Sequence, residues 1–94
     1  MARIVWSRVA RDDLKAIVSY IRTDSPAYAK SFALRLRSRV IQLEGFPDSG
    51  RLVPEDPTHT YRELIFGNYR IVYRHDGGTV TVLTIIHGAR ILQW

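Results

Sequence analysis

Apolar and polar residues alternate along the stretch from Tyr61 to Arg90, a pattern typical of β-strands that bury one face. Two pairs of turn residues, Gly67-Asn68 and Gly77-Gly78, divide this stretch into three runs. Both pairs tolerate the positive φ angles that type I′ and type II′ hairpin turns require. The pattern therefore predicts three consecutive antiparallel strands joined by two-residue hairpins.

Two-residue turns also fix which residues lie opposite one another in the predicted sheet. The expected pairs are Ile65 with Arg70, Glu63 with Val72 and Tyr61 with Arg74 in the first hairpin, and Arg74 with Thr81, Val72 with Leu83 and Arg70 with Ile85 in the second. One face is then mostly apolar and consists of Leu64, Phe66, Tyr69, Ile71, Tyr73, Val80, Val82, Thr84 and Ile86. The other face is mixed and consists of Tyr61, Glu63, Ile65, Arg70, Val72, Arg74, Thr81, Leu83, Ile85 and His87. A third residue in the second turn would instead move His87 to the face opposite Arg70.

Two amphipathic helices are predicted before these strands. Residues 3–6 are β-prone and lead into a helix that begins after Ser7, a good N-cap, and ends near Arg22. Pro26 suits the first turn of a second helix, which is expected to continue to about Glu44. Their apolar stripes are Ala10, Leu14, Ile17, Val18 and Ile21 in the first helix, and Ala29, Phe32, Ala33, Leu36, Val40 and Leu43 in the second. Joined by a short turn, the helices form a hairpin that can cover the apolar face of the sheet.

A few apolar residues fall outside these stripes. Leu34 and Ile41 project from the second helix beside Arg37, and the chain ends in an apolar segment that includes Trp94. We interpret Leu34, Arg37, Ile41 and Trp94 as partner-binding residues. Scattered exposed apolar residues are common in proteins, so an ordinary solvated surface is the alternative interpretation.

The order of elements predicts an α+β fold in a single domain over residues 1–94. The expected arrangement is β-α-α-β-β-β, with an antiparallel, hairpin-connected sheet and a two-helix hairpin on one face. Residues 46–57 contain three prolines and are predicted to form an ordered loop that crosses the sheet edge.

Composition narrows the classes of function. The chain has no cysteine, which excludes disulfides and thiolate metal sites, and no apolar run long enough to span a membrane, so a cytoplasmic protein is expected. The net charge of +5 comes from twelve arginines and two lysines against nine acids. Such a balance suits a polyanionic or acidic partner, although a basic solvated surface would give the same count. No known cofactor or metal motif occurs, so neither is expected.

The element order, the loop "FPDSGRLVPE", the strand pair "YRELIFGNYRIVYR" and the strand end "TIIHGAR" together resemble the RelE/ParE superfamily of toxins from type II toxin–antitoxin systems. The resemblance covers nearly the whole chain, and the "HGAR" ending is more similar to the ParE branch. It implies a small sheet with helices on one face and a concave open face on the other.

The same resemblance implies a prokaryotic growth inhibitor of the kind that serves plasmid stabilisation, neutralised by a cognate antitoxin whose disordered segment folds across the toxin. A higher-order toxin–antitoxin assembly is a further expectation. ParE-like members act on DNA gyrase by protein contact and are not enzymes. RelE-like members are endoribonucleases that cut messenger RNA on the ribosome, and this is the alternative function.

Cleavage of RNA without a metal needs a base, an acid and cations that stabilise the transition state. The candidates here are Glu55 or Glu63 as base, Arg70 and Arg74 as phosphate ligands and His87 as acid. The resemblance places Arg70 at the position of a catalytic arginine, and Glu55 in a loop that carries a catalytic glutamate in some ribonucleases. Those ribonucleases usually have a terminal tyrosine and many lysines, and this chain has Gly88-Ala89 and two lysines instead. ParE-like action is therefore favoured.

The expected functional sheet face consists of Tyr61, Arg70, Arg74, His87 and Arg90. Its residues also admit two plainer interpretations. In the first, Glu63 forms structural ion pairs with Arg70 and Arg74, each worth about 0.2–1 kcal/mol. In the second, Tyr61, Arg70 and Arg74 form a stacking and phosphate-binding platform of a small RNA-binding module.

Overall fold

A computed structural model of the chain describes residues 1–92. Its elements follow the predicted order, with strands β1 (Arg3–Trp6), β2 (Arg51–Leu52), β3 (Arg62–Phe66), β4 (Tyr69–Asp76) and β5 (Thr79–His87), and helices α1 (Arg8–Arg22) and α2 (Pro26–Ile41). A short 3₁₀ turn, Gln42–Glu44, extends α2 to the residue where the helix was expected to end. The α+β class and the strand-helix-helix-strands order are confirmed.

The described strands form one mixed sheet in the order β1-β5-β4-β3-β2. The three C-terminal strands are antiparallel, as predicted, whereas β1 pairs with β5 in parallel. The proline-containing loop lies at the sheet edge, as expected, and it also contributes β2, which pairs with β3. This short strand matters for the site because it begins at Arg51.

Both helices begin at serine caps, and the cap at Ser7 was predicted. The hydroxyl of Ser7 accepts a hydrogen bond from the amide of Ala10 at 3.0 Å, and the hydroxyl of Ser25 accepts one from Tyr28 at 3.2 Å. The helices pack on one face of the sheet, and the core between them includes Leu14, Phe32, Leu36, Val40, Leu43, Leu64, Ile71, Tyr73, Val80, Val82 and Ile85. None of the helices in residues 1–92 is long and apolar enough to cross a membrane.

The two turns have the predicted length, and the first hairpin has the predicted register. Phe66 pairs with Tyr69 around the first turn, and Asp76 pairs with Thr79 around the second. Gly67 alone has positive φ in the first turn, as in type II′, whereas Gly77 and Gly78 both do in the second, as in type I′.

The second hairpin departs from the predicted register because β5 contains a bulge. Arg74 pairs with Thr81 as expected, but Leu83 is an extra residue, so Val72 pairs with Thr84 and Arg70 with Ile86. The predicted pairs of Val72 with Leu83 and of Arg70 with Ile85 are wrong. Ile85 lies in the helix-covered core in place of Thr84 and Ile86.

Contacts with α1 explain why the bulge is stable. β1 ends at Trp6, which leaves the outer edge of β5 without a strand partner beyond Val82. The Ser7 hydroxyl donates to the carbonyl of Leu83 at 2.9 Å, and the Asp13 carboxylate accepts from the amide of Ile85 at 3.0 Å. The side chains of Ser7 and Asp13 therefore satisfy the backbone groups of the bulge, which have no neighbouring strand to pair with.

Candidate functional site

The strongest polar cluster in the described residues is centred on Arg70 of β4. Its Nη1 and Nη2 atoms donate to the two carboxylate oxygens of Glu55 at 2.7 and 2.6 Å, and its Nε donates to Glu63 at 2.6 Å. Nη1 also donates to the carbonyl of Arg90 at 3.1 Å. The side chain of Arg70 is only 6% exposed, so this fork-shaped cation is held almost entirely by protein groups.

Glu63 of β3 is the most deeply buried member of the cluster, because its side chain is fully shielded from solvent. One carboxylate oxygen accepts from Arg70, and the other accepts from Nε of Arg51 at 2.5 Å. The predicted ion pair of Glu63 with Arg70 is confirmed. The predicted pair with Arg74 is wrong, because Arg51 on the adjacent strand β2 takes that position.

Two irregular segments cover this part of the sheet. Glu55 reaches Arg70 from the loop before β3, and its carboxylate also accepts from the amide of Leu92 at 3.0 Å. The carbonyl of Arg90 contacts Arg70 from the segment after β5. The face that was expected to be open is therefore closed around Arg70 by the loop and by the C-terminal segment.

A second carboxylate, that of Asp56, organises the loop that presents Glu55. It accepts hydrogen bonds from the hydroxyl and amide of Thr58 and from the amides of Thr60 and Tyr61, at 2.5 to 2.9 Å. The loop turns through His59, a non-glycine residue with positive φ. The position of Glu55 thus depends on a local hydrogen-bond network and not on a helix or strand.

These contacts determine the charge of the cluster. Hydrogen bonds from Arg70 and from the amide of Leu92 lower the pKa of Glu55 to about 2, and hydrogen bonds to the carboxylates raise the pKa of Arg70 further above its usual range. Burial alone would raise the pKa of Asp56, but the hydrogen bonds from Thr58, Tyr61 and Thr60 outweigh it and bring the pKa to about 2. All three groups are therefore ionised across the physiological range.

Acid is expected to destabilise the chain through Glu55 and Asp56. Both carboxyl groups have a lower pKa in the folded than in the unfolded chain, so the unfolded chain binds more protons as pH falls from about 4.5 to about 2. The free energy of unfolding should fall across that window. Urea unfolding at several pH values measures it, and Glu55→Gln should make the dependence shallower. Equal slopes in the variant and the original chain would contradict this assignment.

The remaining candidate residues lie in different places. His87 pairs with Tyr69, and their rings are 5.8 Å apart, so His87 lies on the helix-covered face and not with Arg70. The prediction that His87 and Arg70 share one face is wrong, because the bulge at Leu83 reverses the alternation after it. The Nδ1 atom of His87 accepts from the amide of Ala89 at 3.2 Å.

A shallow cleft of about 450 Å³ at the end of the sheet still brings parts of the candidate set near one another. Its lining includes Arg51, Ile65, Tyr69, Arg70 and His87. His87 is exposed there, whereas the guanidinium of Arg70 donates its hydrogen bonds to Glu55, to Glu63 and to the carbonyl of Arg90. The cleft can contact a partner, but its cations are already neutralised by Glu55 and Glu63.

The other predicted residues that the structure describes are outside this cleft. Tyr61 precedes β3 and donates its amide to Asp56, and Arg74 has a buried Nε that lacks a hydrogen-bond partner among residues 1–92. Leu34 and Ile41 are 59% and 57% exposed on α2, as predicted. Trp94 lies outside the described residues. No group of three or more His, Asp or Glu side chains within residues 1–92 is arranged to hold a metal.

Sequence reasoning missed two contributors to the cluster. Arg51 was predicted to lie in a loop and not in a strand. It lies in β2, which pairs with β3 and places Arg51 opposite Glu63. The amide of Leu92 was missed because backbone groups in irregular segments leave no side-chain pattern in the sequence.

Comparisons with known proteins agree with this fold. A family model described as "ParE toxin of type II toxin-antitoxin system, parDE" matches residues 4–92. The chain is 40% identical over 92 residues to Toxin RelE2 of Caulobacter vibrioides, and the match covers 97% of this chain and all of that protein.

Two solved structures share the fold. One belongs to the chromosomal ParDE system from P. aeruginosa, with a TM-score of 0.78 and 24% identity over 93% of this chain and 96% of that one. The other belongs to the RelBE2 toxin–antitoxin complex from Mycobacterium tuberculosis, with a TM-score of 0.62 and 20% identity over 92% of this chain and 96% of that one. At these identities the similarity concerns the fold.

Proposed function

The chain belongs to the ParE toxin family of type II toxin–antitoxin systems, and on that premise we propose that it inhibits growth by protein contact with DNA gyrase and is neutralised by a cognate antitoxin. Its action takes place in the cytoplasm, where gyrase is found. It performs no chemistry of its own and uses no cofactor.

One observation carries the choice of contact over RNA cleavage: Arg70 is saturated by carboxylates. A general base works best when its pKa lies near the operating pH. Hydrogen bonds from Arg70 and from the amide of Leu92 lower the pKa of Glu55 to about 2, far below that pH. The guanidinium of Arg70 would have to break its bonds to Glu55 and Glu63 before it could bind a phosphate. This arrangement supports a structural role for all three residues.

RelE-like cleavage of messenger RNA is the second candidate. A specific observation favours it, because His87 and Arg70 both border the cleft at the end of the sheet. The relative with 40% identity also bears the name RelE2. The two functions predict different damage in cells and can be separated directly.

The experiment is a brief induction of the toxin, followed by mapping of transcript 5′ ends and by a DNA-damage reporter. The proposal predicts damage signalling with intact messages, and inhibition of supercoiling when purified chain is added to gyrase. Codon-phased cuts in translated messages without damage would overturn the proposal and favour the ribonuclease. A chain with mutations in its buried core, shown to be unfolded, serves as the inactive control.

His87→Ala tests the same choice at one residue. A general acid contributes about 10²–10⁴ in rate, so a ribonuclease should lose nearly all toxicity, whereas a contact inhibitor should lose less than about tenfold. His87 is exposed, so the variant is expected to fold. His75→Ala is the matched control. His75 lies near the end of β4, whereas His87 pairs with Tyr69 at the start of that strand, and His75 pairs with Asp48 at 2.9 Å. Growth curves at matched protein levels measure the effect.

A further inference from the structure

Two pockets adjoin on the side of α2 that faces the hairpin of β3 and β4. The first, which we call the aromatic pocket, has a volume of about 290 Å³, and its lining includes Tyr28, Phe32, Arg35, Phe66 and Tyr69. The second, which we call the arginine pocket, has a volume of about 370 Å³, and its lining includes Arg35, Ser38, Arg39 and Phe66. The two pockets therefore meet at Arg35 and Phe66, and the lining of neither includes Arg70 or its carboxylate partners.

The rings of the aromatic pocket combine a rigid base with an accessible surface. Phe32 is buried, and its ring packs edge-on against Phe66 and Tyr69 with centroids 5.3 and 5.6 Å apart. Phe66 and Tyr69 are only partly buried, and Tyr28 is 52% exposed. A flat aromatic ligand placed here would stack on these rings and remove their apolar surface from water.

Arg35 is the cation at the junction of the two pockets. Its guanidinium carbon is 5.6 Å from the ring centroid of Tyr28 and 5.7 Å from that of Phe66, so the two rings hold the group in place. Its Nε atom donates to the hydroxyl of Ser31 at 3.3 Å, and the side chain forms no ion pair among residues 1–92. A guanidinium has five N–H donors, so most of those of Arg35 are available to an anion.

Arg39 adds a second cation in the arginine pocket. It lies four residues after Arg35 on α2, which is a rise of about 6 Å along the helix. Its Nη1 atom donates to the side-chain oxygen of Gln42 at 3.2 Å, and it too forms no ion pair among residues 1–92. No acidic residue lines either pocket. Two such arginines one turn apart suit a ligand with adjacent negative charges.

We propose that these pockets bind a nucleotide, with its base in the aromatic pocket and its phosphates at Arg35 and Arg39. Bases stack on aromatic rings and on guanidinium planes, and arginine binds phosphate oxygens through parallel hydrogen bonds. The aromatic pocket is at the lower end of the volumes of small-molecule pockets, roughly 300–1,000 Å³, which suits a single base. The nucleotide is a bound ligand and does not react. The inference goes beyond the proposed function, because it depends on neither gyrase nor an antitoxin.

Other ligands match only part of this arrangement. Inorganic polyphosphate would satisfy Arg35 and Arg39 but would leave the exposed ring of Tyr28 in water. An uncharged aromatic compound would stack but would leave both arginines without an anion. In an acidic peptide the ring and the carboxylates belong to separate flexible side chains, and ordering each of them costs binding free energy. A nucleotide joins one base and its phosphates through a single sugar.

The test titrates the full chain with ADP, followed by calorimetry and by ¹H–¹⁵N nuclear magnetic resonance. We expect saturable binding of one ADP per chain, with the largest shifts at the amides of Gly67 and Asn68, which line the aromatic pocket. Adenosine lacks the phosphates and inorganic pyrophosphate lacks the base. Each should bind at least about tenfold more weakly than ADP, because it occupies one pocket only.

Tyr28→Leu tests the stacking of the base. The ring of Tyr28 is exposed, so its loss should leave the fold intact and weaken ADP binding at least about fivefold. Tyr20→Leu is the matched control, because Tyr20 is an exposed tyrosine on α1 that lines neither pocket. The control should change the affinity less than about twofold.

Neutral substitutions test the binding of the phosphates. Arg35→Gln with Arg39→Gln should weaken ADP binding at least about tenfold and leave adenosine binding within about threefold of its original strength. Arg8→Gln with Arg37→Gln makes the same change in net charge at exposed residues outside both pockets, and should weaken ADP binding less than about threefold. Circular dichroism checks that both double variants fold.

Several outcomes would overturn the inference. They are absence of saturable ADP binding, equal affinity for ADP and pyrophosphate, equal weakening by pocket and control variants, or shifts that spare Gly67 and Asn68. Displacement of ADP by a peptide with phenylalanine and glutamate, at a lower concentration than unlabelled ADP requires, would assign the pockets to a protein segment instead.

Competition with a short single-stranded oligonucleotide distinguishes two sources of the nucleotide. If the oligonucleotide displaces ADP and is weakened alike by Tyr28→Leu and by the double variant of Arg35 and Arg39, the pockets bind a nucleotide unit of a strand. If it does not displace ADP, the ligand is a free nucleotide. Both results support the proposed chemistry of the two pockets, and neither depends on whether the chain inhibits gyrase.

Discussion

Replacement of Arg70 by alanine is expected to lower the free energy of unfolding by about 3–5 kcal/mol. The change leaves Glu63 with a fully buried carboxylate that keeps only Arg51, and leaves Glu55 without its bidentate partner. Removal of one partner of a buried ion pair costs about this much, because the remaining charge cannot return to water. Urea unfolding followed by circular dichroism measures the loss.

Arg74→Ala is the matched control, because Arg74 is four residues away on the same strand and forms no ion pair among the described residues. It should cost less than about 1 kcal/mol. A loss of similar size in both variants, or a loss below about 1 kcal/mol for Arg70→Ala, would contradict the view that the carboxylate cluster stabilises the fold.

This prediction also affects how toxicity data are interpreted. Domains typically have a total stability of about 5–15 kcal/mol, so Arg70→Ala removes a large share of it. An inactive Arg70→Ala variant would therefore not identify a catalytic arginine unless its folding had been measured. His87 lies at the surface and gives the clearer functional test.

The hairpins could be predicted from sequence, whereas the bulge could not be predicted with the same rule. Two-residue turns with glycine strongly restrict register. The expected pairs of Ile65 with Arg70, of Glu63 with Val72 and of Arg74 with Thr81 are all present. The strict alternation then placed polar Thr84 in the core and apolar Ile85 outside it. That mismatch was the available signal for the extra residue at Leu83.

The candidate site could be predicted only where it lies on regular strands. The proximity of Glu63 to Arg70 followed from strand register, because cross-strand neighbours are fixed by pairing. The positions of Glu55 and Leu92 depend on hydrogen bonds within irregular segments, and such segments have no periodicity from which a position can be inferred. For this reason the sequence indicated an open face where the structure has a covered one.

The second large effect is expected at Tyr73, whose side chain lies in the core and whose hydroxyl accepts a hydrogen bond from the amide of Gly50 at 2.9 Å. Tyr73→Ala should cost at least about 3–5 kcal/mol, because it leaves a large cavity in the core. It also leaves the buried amide of Gly50 without its partner. Tyr73→Phe retains the ring and should cost about 1–2 kcal/mol. Thermal and urea unfolding of both variants measure these losses.

Gly50 and Tyr73 should be energetically coupled, because a Cβ atom at Gly50 would lie 2.7 Å from both the ring and the hydroxyl of Tyr73, and 2.7 Å from the carbonyl of Glu63. Gly50→Ala alone should cost about 1–3 kcal/mol through overpacking. In a Tyr73→Leu background the ring and hydroxyl are absent, so the same substitution should cost less, and the double variant should be more stable than additivity predicts. If the costs of the two substitutions are strictly additive, glycine is required at position 50 only because the backbone there approaches the carbonyl of Glu63. The coupling matters for the site because Gly50 precedes Arg51, so the packing of Tyr73 positions the strand that supplies the second cation to Glu63.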